Sequence, residues 1–242
     1  MIQKEIEKKM LQHLVSYFLF PTMSTYTTLP TLRYHAGVAC LYAEQPRTDH
    51  VLVYFHGNGQ DLGTSWRQLV AMAEALHMTA VAMEYRGYGC MAMQSPSVDG
   101  IVTDARRVLR HLNQTYRHVH VCGYSIGAAI AAAAVRHEPC HQVVLVAPFY
   151  SVARMVKDVT GSGLLAALCD ATLLNTGDAL SHLPTKVPIT VVHGAKDTLI
   201  PIDHAHTLKY HVPRIDVHVQ ADRGHNDMDW LEVHCAIKKY TS

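Results

Sequence analysis

Val119-His120-Val121-Cys122, then Gly123-Tyr124-Ser125-Ile126-Gly127, then the small-residue run at 128–135 is the stretch whose reading decides the fold. A short apolar run rich in valine reads as a strand, and the alanine-rich run reads as a buried helix. A tight strand-to-helix turn therefore lies between them, with Ser125 at its centre. The turn has to hold the serine in a strained backbone conformation with its hydroxyl exposed. Glycines two residues before and two after avoid the collision that side chains would cause there.

Outward from this turn, short apolar runs alternate with helical stretches, the pattern of a mostly parallel sheet with helices on its faces. Strands are predicted at 51–55, 79–83, 119–122, 143–146, 189–192 and 215–219, and helices near 65–76, 101–113, 126–136, 205–210 and 228–239. Residues 32–44, centred on Ala36-Gly37, predict a leading antiparallel hairpin, which makes a central sheet of about eight strands. Between Phe149 and Val187 two weaker helical runs, 152–159 and 164–173, have no strand between them. Residues 150–187 thus read as a lid-like insertion over the end of the sheet, the alternative being one crossover with a broken helix. The whole chain, 1–242, reads as one domain, with 1–31 as an N-terminal segment.

The 242 residues are 49% apolar and 17% charged, enough for a large buried core, and 21 Lys+Arg against 20 Asp+Glu leave a net charge of +1. That balance gives no field for gathering nucleic acid. No apolar run reaches the roughly 18 residues of a membrane span. Cys40, Cys90, Cys122, Cys140, Cys169 and Cys235 stand singly, which excludes a zinc ribbon or a C-x-x-C redox site and fits a reducing cytoplasm. His118 with His120 and His204 with His206 are pairs with no third ligand nearby in sequence, so no metal and no cofactor is expected.

A serine hydroxyl is a weak nucleophile near neutral pH and needs a base that is itself oriented by a carboxylate. The run 189–192 ends in His193-Gly194-Ala195-Lys196-Asp197, placing Asp197 just past a strand. The run 215–219 leads through Gly224 to His225, again past a strand. Ser125, Asp197 and His225 then project from one edge of the sheet, where α/β folds keep their sites. The rival acids Asp170 and Asp203 lack that position. After the run 51–55, His56-Gly57-Asn58-Gly59 forms a glycine-rich turn whose N–H groups can face a developing oxyanion, with the N–H of Ile126 as second donor. His56 is expected to brace that loop, and Arg86 to pair with a loop carboxylate.

Together these motifs resemble the α/β-hydrolase superfamily, and within it the α/β-hydrolase-domain-containing branch whose members remove palmitate from proteins. The resemblance runs from about residue 32 to 240. It is carried by H-G-N-G-Q-D-L-G at 56–63, Y-x-G-Y-G at 85–89, G-Y-S-I-G at 123–127, H-G-x-x-D at 193–197 and G-H-N-D at 224–227. It implies an α/β-hydrolase fold, a triad of Ser125, Asp197 and His225, and Asn58 or Gly59 with Ile126 as oxyanion donors. It also implies an acyl-enzyme route to a fatty-acyl thioester, as on an S-acylated protein. Hydrolysis of small esters or peptide bonds is the alternative, because one triad serves all acyl transfers. A catalytically silent binding protein of this fold is the rival from another class. Two departures stand out: no cysteine precedes Cys40, where that branch carries an acylated cysteine cluster, and its polar loop is here Cys90-Met91-Ala92-Met93-Gln94.

Met91, Met93, Leu164, Leu165 and Leu168 lie on segments near the functional edge and are expected to line an acyl pocket, with ordinary packing as the alternative. On a helical wheel Ile2, Ile6, Met10, Leu14 and Tyr17 share one side with lysines opposite, until Pro21 ends the segment. Residues 1–20 therefore predict an amphipathic helix that packs on its own domain or makes peripheral contact with a membrane.

Overall fold

The computed structural model describes residues 31–161, 163, 166 and 174–241. The expected helices at 1–20 and 164–173, with Leu164, Leu165, Leu168, Cys169 and Asp170, lie outside the described residues. Eight strands form one sheet: β1 (Leu32–His35), β2 (Val38–Ala43), β3 (His50–Phe55), β4 (Thr79–Met83), β5 (His118–Tyr124), β6 (Gln142–Val146), β7 (Ile189–Gly194) and β8 (Asp216–Gln220). Their order is β1-β2-β4-β3-β5-β6-β7-β8. The β1-β2 hairpin is antiparallel and β2 joins β4 antiparallel, while all pairings from β3 to β8 are parallel. Strands β3 to β7 are almost wholly buried, which matches their continuous apolar runs, because helices cover both faces of a parallel sheet.

On one face lie α1 (Leu62–Leu76) and α7 (Trp230–Lys238), whose Leu69, Met72, Val233 and Ile237 pack on Leu52, Ala82 and Val144. The other face carries α2 (Val98–Thr115), α3 (Ile126–Val135), α5 (Thr176–Ser181) and α6 (Asp203–His211), with Ile101, Leu109, Ile130 and Leu208 against Val53, Val121 and Val191. α4 (Val152–Thr160) opens the expected insertion. α1 begins before the expected residue 65 because Asp61 caps it: its Oδ1 accepts from Thr64 N–H at 2.8 Å, and Thr64 Oγ1 accepts from Asp61 N–H at 2.8 Å. α2 also starts early, capped by Ser97 accepting from Gly100 N–H at 3.1 Å. No helix of the described residues is long and apolar enough to cross a membrane.

Several histidines are built into this frame as neutral rings. His120 on β5 contacts Gln142 Nε2 at 2.8 Å and His50 Nδ1 at 2.9 Å. Burial, and then the neighbouring His141, His50 and His118, lower its pKa to about 3. His204 on α6 accepts from Tyr150 N–H at 2.9 Å, and its Nε2 lies 3.0 Å from Asp158 Oδ2; burial and then Arg154 lower its pKa to about 4. Each ring takes a proton more readily in the unfolded chain. Its stabilising contribution is complete above the ordinary value of 6.5 and is lost as pH falls from there toward the folded value. Thermal unfolding followed from about pH 7.5 to 4.5 should show falling stability, with each ring adding up to about 1.4 kcal/mol per pH unit. His120→Gln should flatten that slope; the parent's slope in the variant would show that His120 contributes nothing to it.

Candidate active site

β5 ends at Tyr124 and α3 begins at Ile126, so Ser125 alone makes the turn, with φ 56° and ψ −119°. Its N–H donates to Val146 O on β6 at 2.9 Å, which ties the strained residue to the sheet. A Cβ at Gly123 would lie 2.5 Å from Gly127 O and 2.6 Å from Ala128 Cα, and one at Gly127 would strike the carbonyl groups of Phe55 and His56. The flanking glycines are thus required by close approach of backbone to backbone.

The turns after β7 and β8 bring up the other two groups. His225 Nε2 lies 3.0 Å from Ser125 Oγ, and His225 Nδ1 lies 2.7 Å from Asp197 Oδ2. An ionised carboxylate only accepts, so Nδ1 carries the proton and Nε2 is left to receive one from the serine. Asp197 Oδ1 accepts from the N–H groups of Leu199 at 2.9 Å and Ile200 at 2.8 Å. Burial pushes the Asp197 carboxyl up, but hydrogen bonds from His193, His225 and Ile200 N–H outweigh it and hold the group well below the usual carboxylate range. Tyr124 OH donates to His225 O at 2.8 Å and fixes the histidine's backbone.

At the turn after β3, Tyr85 OH donates to His56 O at 2.8 Å and Tyr88 OH to Asn58 Oδ1 at 2.8 Å, so both tyrosines of Y-x-G-Y-G hold this loop. His56 is fully buried, stacked on Tyr85 with centroids 4.0 Å apart and its Nε2 3.3 Å from Glu84 Oε1. Glu84 Oε2 also accepts from Leu62 N–H at 3.2 Å, linking the loop to the first turn of α1. Gly59 N–H is taken by Asn58 Oδ1 at 3.0 Å. Among the described residues the N–H groups of Asn58 and Ile126 donate to nothing in the protein. A cavity of about 280 Å³ opens beside Ser125 and His225, lined also by Asn58, Leu199, Met228 and Trp230.

With this geometry in place, comparison with known proteins decides the family. Residues 46–178 match the family described as Hydrolase_4, serine aminopeptidase, S33. The chain belongs to the Hydrolase_4 family. Protein bem46 of Schizosaccharomyces pombe is 28% identical over 169 residues, 66% of this chain and 56% of that protein. Alpha/beta hydrolase domain-containing protein 17C of Homo sapiens is 24% identical over 202 residues, 79% of this chain and 58% of that protein. Alpha/beta hydrolase domain-containing protein aho-3 of Caenorhabditis elegans is 26% identical over 206 residues, 82% of this chain and 58% of that protein. These relatives put this Hydrolase_4 chain on the α/β-hydrolase-domain-containing branch, and the chain spans 56–58% of their length. Pyrococcus furiosus esterase PF2001 superposes with a TM-score of 0.71 at 12% identity, covering 93% of this chain and 97% of its own. Acetyl xylan esterase 1 from Thermoanaerobacterium gives 0.64 at 15% identity, covering 98% of this chain and 94% of its own. At such identities the likeness is one of fold: the α/β-hydrolase fold.

Other expected positions in this Hydrolase_4 chain need correcting. Met91 is buried in the core beneath α1, and Met93 is 99% exposed; neither lines the cavity beside Ser125. The cause is local: Gly87 N–H donates to Met91 O at 3.1 Å, and the 3₁₀ turn Gly89–Met91 rolls Met91 inward and leaves Met93 outside. Arg86 pairs with Asp104 of α2, at 2.6 and 3.0 Å, and not with a loop carboxylate. His193 went unread, although it shares the H-G-x-x-D motif with Asp197: its Nε2 is 2.8 Å from Ile200 O and 3.4 Å from Asp197 Oδ2. Burial pushes the Cys40, Cys122 and Cys140 thiols up to about 12 and, with Glu84, that of Cys90 up to about 11, so none of these four is a ready nucleophile. A larger cavity, about 620 Å³ between α2, α3 and α5, touches none of Ser125, Asp197 and His225, and its Arg136 is paired with Asp178.

The His118/His120 pair is not isolated either. Parallel register sets His50 opposite His118, and the ligand atoms of Asp49, His50 and His118 lie within 4.8 Å of one another. The His50 and His118 rings stack at 4.4 Å and 29°. This group sits at the strands' N-terminal ends, the edge opposite Ser125.

The close approach at the serine turn has a measurable consequence. Gly127→Ala should lower the unfolding free energy by about 2–3 kcal/mol in urea titration, or prevent folding. Gly161→Ala, at φ 69° but with none of the described residues within 4 Å of the added Cβ, should cost only about 1 kcal/mol. Equal losses would show that contact with Phe55 and His56 is not what the glycine avoids.

Proposed function

We propose that this chain is a serine hydrolase that cleaves carboxylic esters and thioesters through an acyl-enzyme. The observation that carries the proposal is the unbroken chain from Ser125 Oγ to His225 Nε2 at 3.0 Å and from His225 Nδ1 to Asp197 Oδ2 at 2.7 Å, opening on a cavity. His225 Nε2 takes the Ser125 proton as Oγ attacks the acyl carbon, and the charge passes to the carbonyl oxygen. The unpartnered N–H groups of Asn58 and Ile126 receive that oxyanion; Gly59 does not, since its N–H is engaged by Asn58. His225 then gives the proton to the departing alcohol or thiol, and water, deprotonated by the same nitrogen, releases the acid. We take residues 1–242 as one domain, with 150–187 as its lid.

On substrate, likeness to the branch that removes palmitate supports a fatty-acyl thioester. The cavity favours a second, more compact ester: at about 280 Å³ it lies just below the ~300 Å³ lower end for sites that enclose a drug-sized ligand. A hexadecanoyl chain would run out over the rim at Leu199, which is 52% exposed.

A fluorophosphonate should label the parent and not Ser125→Ala, and labelling of the variant at the parent's level would sink the nucleophile assignment. Asp197→Asn should retain the fold and lower kcat by roughly 10³–10⁴-fold, because the carboxylate no longer holds the tautomer that leaves Nε2 free to accept. Across p-nitrophenyl esters from acetate to palmitate, kcat/KM should peak among the short chains. A peak at palmitate would favour the fatty-acyl alternative.

A further inference from the structure

The cavity beside Ser125 carries, apart from Ser125 and His225, several hydrogen-bond donors that the protein itself does not use. Tyr54, on β3, is wholly buried with its ring edge-on to Trp230 at 6.0 Å, and its hydroxyl has no hydrogen-bond partner among the described residues. Burial holds that hydroxyl well above its ordinary pKa of 10, so it keeps its proton and can donate. Gln68, from α1, also lines the cavity, and its buried Nε2 has no partner among the described residues.

Asn58 and Gln60 complete the set, with their amide orientations fixed by backbone donors. Asn58 Oδ1 accepts from Gly59 N–H at 3.0 Å, and Gln60 Oε1 accepts from Gly57 N–H at 2.8 Å. With both oxygens committed, the NH₂ groups are what these side chains have left to offer, and neither makes a hydrogen bond among the described residues. A buried donor left without an acceptor destabilises the fold. Phenylalanine would fill position 54 without that cost, and leucine would nearly do so at position 68. The lining therefore makes physical sense when an acceptor enters from outside.

We propose that this cavity is a hydrogen-bond-donating subsite that selects esters or thioesters carrying an acceptor oxygen, as an ether, hydroxyl or second carbonyl, close to the scissile bond, with Tyr54 and Gln68 as the specificity residues. The proposal rests on Ser125 being the nucleophile. A site that hydrogen-bonds a substrate oxygen rejects the alkyl analogue, which leaves the donors unpaired, far more strongly than an apolar pocket rejects a missing methylene. The rival occupant is a resident water that stays in place during turnover.

Two isosteric pairs separate these cases. In one the oxygen is in the acyl group (p-nitrophenyl 3-methoxypropanoate against pentanoate), and in the other it is in the alcohol (2-methoxyethyl acetate against butyl acetate). kcat/KM is measured for parent, Tyr54→Phe and Gln68→Leu, each pair corrected for its hydroxide-catalysed rate ratio. The parent should prefer the oxygen-bearing member of at least one pair by about tenfold or more, and that pair shows which side of the bond the subsite takes. Tyr54→Phe should bring the ratio close to one, and Gln68→Leu should lower it. A parent ratio near one in both pairs overturns the subsite, as does a Tyr54→Phe variant that keeps the parent's ratio; either result points to a resident water or to packing. Fluorophosphonate labelling of Ser125 in all three proteins keeps this failure distinct: labelling and turnover without preference sink the subsite alone, whereas no labelling and no turnover sink the serine hydrolase with it.

Discussion

How closely one backbone can pass another at Gly123 and Gly127 is the constraint on which the site depends. α3 starts over the end of β3 only because no Cβ stands between Gly127 and the carbonyl groups of Phe55 and His56. That closeness sets the turn after β3, with Asn58, beside the turn after β5, with Ser125 and Ile126. Here too the strand order reverses: β4 lies on one side of β3 and β5 on the other, so the loop leaving β3, which leads to α1 on one face, parts from the one leaving β5, which leads to α3 on the other. A crevice at such a reversal is where open α/β sheets bind ligands. The loops after β7 and β8 need only reach back toward it.

Much of this was legible in the sequence because loop chemistry leaves local marks. The β3 to β8 boundaries follow from apolar runs, and the places of Ser125, Asp197 and His225 follow from motifs just past strand ends. Helix starts were less legible: the reciprocal cap between Asp61 and Thr64 lies outside the apolar periodicity that marks α1. What spacing could not carry was anything set by tertiary register. Tyr54, Gln68 and Trp230 belong to none of the motifs, yet the packing of β3, α1 and α7 turns them into the cavity wall. The meeting of His50 with His118 depends on which strand lies beside β3, and the inward roll of Met91 depends on a turn that no hydrophobic pattern records.

Asp197 illustrates how the fold handles buried charge. Its two oxygens face two backbone N–H groups and two imidazoles, so the carboxylate is fixed in orientation and stays ionised despite lying out of solvent. His193 approaches it with its Nε2 also 2.8 Å from Ile200 O. Elsewhere His120 and His204 are held neutral in buried positions, the one between His50 and Gln142 and the other between Tyr150 and Asp158. A chain with only 17% charged residues thus meets many of its interior polar needs with uncharged imidazoles, which are cheaper to bury than ions.

Strand β8 ends the sheet among the described residues, and apart from Gln220 its residues are at least partly exposed, Val219 at 47%. An open ladder of this kind is a template on which a second chain can add a strand. It is guarded here by ions instead of by cover: Asp216 faces Lys239 at 2.8 Å and His218 at 3.0 Å, all three carried on or beside the edge. Such a guard weakens with ionic strength, whereas the apolar core does not. Concentrated salt therefore acts on this molecule first as a question of colloidal behaviour, at an edge remote from the serine turn, before it bears on whether the chain stays folded.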